Sequence, residues 1–167
     1  MGRLALTLFV LVFGLAACSP PPPTLGTDGK PLPRVYSIRD AGAVSFGMLD
    51  SVNALRQAAG APNLTLNAQL TAAAKTHAQD MSLQNRPWHF GSDGSSPLQR
   101  VARTGYTGLF KGEVISETFE TEIETLAAWM EQEASRKVLL DPSAVDMGFA
   151  WHQDPNGRLW WVLNTAT

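Results

Sequence analysis

The stretch from Thr76 to Gly94 constrains the fold of this chain most, because it carries the end of an amphipathic helix into a polar loop. Asn67, a residue type favoured at helix N-caps, stands before it. A helix whose apolar residues share one stripe must bury that stripe against a second layer, so His77 points inward. His77 is then either a hydrogen-bonded structural histidine or part of a cavity wall. The predicted stripe consists of Leu70, Ala73, Ala74, His77 and Met81.

Two further helices are predicted from the residues at their ends. The first begins near Ala43 and stops at Gly60-Ala61-Pro62, where the glycine supplies a left-handed cap. A short helix has Ser96 as its N-cap, Pro97 at its first position and Gly105 past its end. Each of these signals is local, so they fix the ends of the helices without specifying their partners.

A fourth helix begins at a capping box formed by Thr121 and Glu124. It is predicted to continue through Arg136 in a W-M-x5-R pattern that starts at Trp129. Its apolar spacing predicts a core stripe that Trp129 extends. That stripe consists of Ile123, Leu126, Ala127 and Met130.

The chain closes with two apolar runs, 145–152 and 158–164, which predict an antiparallel hairpin. The connection between them, 153–157, is rich in turn residues and ends in Asn-Gly. Alternation along the last strand sends Trp160 and Trp161 to opposite faces, and both are predicted to be core residues between two helical layers. Helices that cover an antiparallel sheet make an α+β fold.

Taken in order, the motifs of this chain resemble a known family. The helix end AA-x-x-HA-x-DM and the Trp88-His89 pair that follows are similar to the bacterial branch of the CAP superfamily, whose domains are also called SCP-like. The resemblance implies a three-layer α-β-α sandwich with an antiparallel sheet. The other matching motifs are an L-N-x-x-R-like segment at 52–56, S-P-x-x-R-x4-GY at 96–106, Gly112-Glu113, W-M-x5-R at 129–136, MGFAW at 147–151 and LWWV at 159–162.

The N-terminal residues 1–17 are predicted to be a lipoprotein signal peptide, with a positive start, an apolar run and small residues before Cys18. The apolar run is shorter than the ~20 residues of a membrane-spanning helix, which leaves a permanent span as the weaker alternative. Leu15-Ala16-Ala17-Cys18 resembles the lipobox of bacterial lipoproteins, which implies lipidation of Cys18. Since Cys18 is the only cysteine, it has no disulfide partner within the chain, and a buried core cysteine is the other alternative.

Residues 18–42 are predicted to form a lipidated, Pro-rich linker, in which four consecutive prolines favour an extended spacer. The CAP domain is predicted to span 43–167. Ser19, following the lipidated cysteine, resembles a signal for sorting to the outer membrane. The predicted location is therefore the cell envelope, with a lipid anchor at the periplasmic face of the outer membrane if the host has two membranes.

Composition limits the partners of the chain. A length of 167 residues with 44% hydrophobic residues suits one domain with a real core. The 15 acidic and 13 basic residues are scattered and give a net charge of −2. No nucleic-acid partner is predicted, because nucleic-acid binding requires a concentrated basic patch.

The resemblance implies a site in the cleft where family members gather histidines and acids. His89 matches the histidine of the loop before the Asp-Gly turn, and Glu113 matches the acid of the family's GEN segment, where Val114 replaces the usual asparagine. Gln132 stands where eukaryotic relatives have a second acid. Two further family histidines are absent, one because Ser135 precedes the arginine of the fourth helix and one because the last strand reads LWWV. The predicted ligand-binding cleft consists of His89, Glu113, Trp88, Gln132 and His77.

The chemistry predicted for this cleft is limited. One histidine and one carboxylate are too few ligands for a zinc site, so no metal and no cofactor are predicted. No catalytic residue is predicted either, because Ser92, Ser95 and Ser96 are better explained as turn and cap residues. A hydrogen bond between His89 and Glu113 could support acid/base chemistry or tie a loop to a strand.

Three hypotheses follow for the function. The first is a non-enzymatic, envelope-anchored binding module whose cleft around His89 and Glu113 takes an apolar or cell-wall-derived ligand; lipid binding is suggested by the resemblance. The second is an envelope hydrolase of peptidase type that uses the same cleft. The third is a structural lipoprotein whose partner is another envelope protein.

Overall fold

The structure is a computed structural model that describes Gly29 and residues 38–167, with side chains from residue 40. The predicted signal peptide, Cys18 and most of the predicted linker lie outside the described residues. Among the described helices, none is long and apolar enough to cross a membrane. The elements are α1 Ile38–Ala58, β1 Thr65–Leu66, α2 Ala68–Gln84, α3 Pro97–Arg103, β2 Phe110–Glu117, α4 Glu122–Glu131, α5 Glu133–Leu139, β3 Asp146–Gln153 and β4 Leu159–Ala166.

The sheet has the strand order β1-β3-β4-β2. The predicted hairpin is confirmed, because β3 and β4 pair antiparallel from Asp146 with Ala166 to Gln153 with Leu159. Its turn ends at Gly157, whose φ of +89° is a left-handed conformation that favours glycine. β2 adds antiparallel to the other side of β4. The short β1 was not predicted, and it pairs parallel with β3 over two residues, which makes an otherwise antiparallel sheet mixed.

The helix ends agree largely with the sequence signals. The Asn67 side chain accepts hydrogen bonds from the amides of Gln69 and Leu70, which confirms the N-cap of α2. Ser96 and Gln99 form a full capping box at α3. Gly60 has a φ of +75°, as its capping role after α1 requires. α1 nevertheless begins at Ile38, five residues before the predicted start at residue 43, so the helix includes residues assigned to the linker.

Helices cover both faces of the sheet, which gives the predicted α-β-α layers. On the face covered by α1 and α4, large apolar side chains form the core, and the rings of Phe149 and Trp161 stack with centroids 5.8 Å apart. On the opposite face, α2 packs through small residues such as Ala74 and Ala78 against Trp160. Trp160 and Trp161 are therefore both buried on opposite faces, as predicted.

α2 lies very close to the sheet because β3 carries Gly148 beneath it. A Cβ atom on Gly148 would lie 2.1 Å from the backbone carbonyl carbon of Leu70. A larger residue at this position would push α2 away from β3 and β4. Gly148, within the motif at 147–151, thus sets the distance between α2 and the sheet. The loop that follows α2 therefore begins at a fixed position.

Arg56, in the L-N-x-x-R-like motif, is fully buried and joins three parts of the α1 side. Its guanidinium donates to the carbonyls of Pro62, Leu139 and Ala144 at 2.7, 2.7 and 3.0 Å. These contacts hold the end of α1 against the end of α5 and the start of β3. Each of the three guanidinium nitrogens donates one hydrogen bond, so this buried side chain links the three segments.

The predicted stripe of α4 is partly wrong. Ile123 is 50% exposed and Ala127 is also exposed, whereas Thr125, Leu126 and Trp129 are buried. Thr125 and Trp129, four residues apart, share the buried face, so the helix is rotated from the predicted orientation. The predicted continuation through Arg136 is also interrupted, since Gln132 has the extended values φ −87° and ψ 121° and separates α4 from α5.

Candidate functional site

Glu113 on β2 is the centre of a buried polar cluster, and its side chain is 2% exposed. Arg100 Nη2 donates to both carboxylate oxygens of Glu113 at 2.9 Å. His89 Nδ1 lies 3.0 Å from Oε1 of the same carboxylate. The structure therefore brings together His89 and Glu113, which the sequence predicted for the cleft. It adds Arg100, which the sequence motifs did not assign to the site.

Arg100 also holds the loop that carries His89. Its Nη1 donates to the backbone carbonyls of His89 and Ser95, both at 2.9 Å. The capping box and Pro97 start α3 at a fixed position, so Arg100 one turn later faces the loop. The S-P-x-x-R motif was the available signal for this residue, but its role depends on a loop and a strand that the motif does not contain.

His77 lies behind Glu113 and outside the lining of the cleft. Its side chain is fully buried, and Nε2 lies 2.9 Å from the carbonyl of Trp88 and 3.7 Å from Glu113 Oε1. A carbonyl only accepts hydrogen bonds, so Nε2 carries a proton. Burial lowers the pKa of His77, against the carboxylate of Glu113, which acts to raise it. His77 is thus a neutral histidine that fixes the loop at Trp88, and its Nδ1 has no hydrogen-bond partner among the described residues.

Nε2 of His89 has no hydrogen-bond partner among the described residues, and His89 lines the cleft. The carboxylate of Glu113 accepts from Nδ1, which leaves Nε2 on the other side of the ring. The side chain is 50% exposed, in contrast to the buried partners that position it. The arrangement orients an imidazole that can donate to, or accept from, a bound molecule.

A cavity of about 520 Å³, the His89 cleft, lies between the loop 87–90, the β2 segment 113–115 and the start of α5. Trp88, His89, Glu113 and Gln132, four of the five predicted residues, line it. Trp88 is held in place because its indole nitrogen donates to Gln84 at 2.7 Å. The Arg86 guanidinium also lies 3.8 Å from the centre of the Trp88 ring. The lining is thus partly aromatic and mostly uncharged.

The serines of the loop have turn and cap roles. Ser92 bonds Asp80 at the end of α2 through both its amide and its hydroxyl, at 2.7 and 2.5 Å. The Ser95 hydroxyl and the Arg103 guanidinium, together with a hydrogen bond from the Ser95 amide, hold the pKa of the Asp93 carboxyl far below its usual range. These contacts border a second cavity of about 550 Å³ on the other side of Arg100. Within the part of the chain that the structure describes, no group of three His, Cys, Asp or Glu side chains could hold a metal ion.

The chain matches known proteins over this region. A sequence model of the cysteine-rich secretory protein family (CAP) matches residues 49–165. The uncharacterized protein YkwD of Bacillus subtilis is 28% identical over 113 residues, which cover 68% of this chain. The chain spans only 43% of the length of that curated relative.

Two solved structures show the same fold at low sequence identity. An extracellular protein containing an SCP domain from Bacillus anthracis has a TM-score of 0.70 at 19% identity, covering 80% of this chain and 44% of that one. An outer surface protein from Borrelia burgdorferi has a TM-score of 0.68 at 16% identity, covering 81% of this chain and 98% of that one.

Proposed function

Since this chain belongs to the cysteine-rich secretory protein (CAP) family, we propose that it is an envelope-anchored binding module. It holds an apolar or cell-wall-derived ligand in the His89 cleft and does not turn it over. The ligand packs on Trp88 and Phe90 and forms a hydrogen bond with the free Nε2 of His89. Burial of apolar ligand surface, at about 25 cal/mol per Å² before the costs of association, drives the binding.

This proposal rests on the observation that the Glu113 carboxylate is already hydrogen-bonded within the protein. Its two oxygens already accept hydrogen bonds from Arg100 and His89. A carboxylate held by a buried guanidinium stabilises the loop and gives little driving force for proton transfer. Catalysis by a side-chain nucleophile also requires that nucleophile to bond the base, and no hydroxyl among the described residues bonds His89.

The location outside the cytoplasm rests on the relatives and on the leader. The Bacillus anthracis relative is described as extracellular and the Borrelia burgdorferi relative as an outer surface protein. In this chain, the lipobox-like segment that ends at Cys18 would supply the anchor. More than one acyl chain on this cysteine gives stable attachment, because each buried CH₂ contributes about 0.8 kcal/mol.

Cell fractionation tests the anchor. The parent chain should be recovered with membranes, and Cys18→Ala should be recovered in the soluble envelope fraction or the medium. Ser19→Ala is the matched control and should remain with the membranes. Equal membrane recovery of the parent and Cys18→Ala would show that the lipid anchor is wrong.

Tryptophan fluorescence tests the binding module. Titration of the purified chain with palmitate or with a purified cell-wall muropeptide should change the emission in a saturable way, and Trp88→Phe should remove the change. His89→Ala should weaken binding roughly three- to tenfold, the value of one hydrogen bond. Leu83→Ala, which replaces an 85% exposed residue outside the His89 cleft, should bind like the parent. A titration with no response to either probe would contradict the proposal.

One observation favours a hydrolase as the second candidate. Ser135 lines the same cleft as His89, whose free Nε2 is oriented by Glu113 as a general base would be. In that case purified protein would cleave an envelope peptide or ester, and both His89→Ala and Ser135→Ala would abolish turnover while leaving the circular dichroism spectrum unchanged. Absence of turnover, together with binding, supports the module.

A further inference from the structure

β2 is the edge strand of the sheet, so half of its backbone groups point away from β4. The amide of Thr118 donates to the carbonyl of Leu159 at 3.0 Å, which shows that even-numbered residues of this strand face β4. Trp129 Nε1 donates to the carbonyl of Ile115 at 3.0 Å from outside the sheet, which shows that odd-numbered residues face away. By the same alternation, the backbone groups of Glu113 also face away from β4.

Between residues 113 and 115 of this edge, the N–H and C=O of Glu113 and the N–H of Ile115 have no hydrogen bond to other described residues. The chain closes the edge on both sides of them. A Cβ atom on Gly112 would lie 2.6 Å from Val138 Cγ2, so α5 packs directly on the strand there. At the other end the Trp129 indole occupies the Ile115 carbonyl. The open stretch between these points lies inside the His89 cleft.

A protected but unpaired stretch of strand edge needs a physical reason, because proteins normally cover their sheet edges. The free groups alternate in the way that another strand would require: a donor and an acceptor on one residue and a donor two residues later. An extended peptide offers matching carbonyls and amides on its own alternate residues. A lipid tail offers none.

We propose that the His89 cleft binds a neutral, extended peptide segment that adds as a strand to the edge of β2 at Glu113 and Ile115. This inference rests on the proposed function, since it names the ligand class for the same cleft. Trp88, Phe90 and Val138 provide apolar surface for the side chains of the peptide. The peptide is expected to be neutral, because the Glu113 carboxylate in the lining is already paired with Arg100 and does not attract a charged ligand.

A methylation scan of a peptide tests the pairing directly. The probe is an acetylated and amidated pentapeptide of alternating threonine and valine, titrated into the detergent-purified full chain. Two further peptides carry N-methyl groups, one on the threonine amides and one on the valine amides. Strand addition uses only one of these sets, so one methylated peptide should bind roughly tenfold more weakly than the parent and the other within about twofold.

Amide hydrogen exchange locates the peptide on the protein. In the free protein the amides of Glu113 and Ile115 should exchange quickly, and the bound peptide should slow both. The amides of Val114 and Ser116, which face β4, serve as internal controls and should exchange slowly in both states. Leu83→Ala, which lies outside the His89 cleft, should leave this pattern unchanged.

The outcomes separate this inference from the proposed function. Peptide binding with equal loss in both methylated peptides, or without protection of Glu113 and Ile115, overturns strand addition and leaves a binding cleft. The same holds if no peptide binds up to about 1 mM while palmitate still changes Trp88 fluorescence. If neither peptide, muropeptide nor palmitate binds, both proposals are wrong.

Discussion

The two faces of the sheet are packed in different ways, and only one of them holds the site. On the side of α1 and α4, large side chains such as Trp129, Phe149 and Trp161 fill the space between the layers. On the side of α2, alanines and Gly148 bring the helix backbone close to the strands. At the edge of this second face, Arg100, Glu113 and His77 form a buried polar cluster.

This difference shows how stability and site geometry are divided. The face with large side chains buries most of the aromatic surface, which is the main source of stability. Truncating a side chain on the face with small residues would create only a small cavity. The close packing on this face nevertheless fixes the position of α2 and therefore of the loop that follows it. A change on the first face should act on the whole fold, and a change on the second should act mainly on the loop and the cleft.

The largest effect is expected for Trp129→Ala, which removes a side chain that is 1% exposed and bonded to Ile115. The free energy of unfolding should fall by about 5 kcal/mol, near the upper end for tryptophan in a core. Urea unfolding measures it, with Met130→Ala as a control at a partly buried neighbour that should lose less. A loss of under about 1 kcal/mol would contradict the division between the faces.

Arg100→Met tests the polar cluster of the α2 face. It leaves the carboxylate of Glu113 buried without its guanidinium, and the free energy of unfolding should fall by about 3 kcal/mol. The double variant Arg100→Met/Glu113→Leu should recover a large part of this loss, because it removes the uncompensated charge. A double-mutant cycle by urea unfolding gives the coupling, and additive losses would show that the pair does not act as a unit.

The pH dependence of stability tests the buried His77. Since its pKa is lowered in the folded protein from the ordinary value of 6.5, the unfolded chain binds more protons at mildly acidic pH. Stability attributable to His77 is therefore complete above pH 6.5 and falls as the pH drops below it toward the folded pKa. His77→Gln, whose amide can still donate to the Trp88 carbonyl, should lose less stability on acidification than the parent.

The comparison for that experiment is His152→Gln, which replaces a histidine with a side chain 35% exposed. This variant keeps His77 and should therefore retain an acid-side loss that His77→Gln lacks. Urea midpoints on both sides of pH 6.5 measure the effect. An identical fall in the parent and in His77→Gln would assign the acid sensitivity to other groups.

The smallest effect on stability is expected for His89→Ala. Its side chain is half exposed, so its loss should change the free energy of unfolding by about 0.5 kcal/mol, as for an exposed site. Glu113→Ala should cost more, because it leaves the buried Arg100 without its carboxylate. Thermal unfolding of both variants shows which of them loses more stability. A larger loss for His89→Ala than for Glu113→Ala would contradict this interpretation.

The sequence predicted those parts of the fold that depend on neighbouring residues. The N-caps at Asn67, Ser96 and Thr121 are confirmed, because a side chain needs only the next turn of backbone to cap a helix. The motif order also predicted the CAP family, which the family match confirms. The prediction that Ile123 is buried was wrong. The apolar spacing on α4 is compatible with more than one buried face, and packing against the sheet determines which face is buried.

For the candidate site, the sequence alone supplied residue types, and tertiary structure decided the contacts. His89 and Glu113 are 24 residues apart, and only the packing of α2, its loop and β2 brings their side chains to 3.0 Å. The same packing makes Arg100 the partner of Glu113 and places His77 behind the cleft. Local signals determine where helices and turns begin and end, because their hydrogen bonds close within a few residues. Which polar groups meet, and which strand edge stays unpaired, depends on long-range contacts that only the folded layers create.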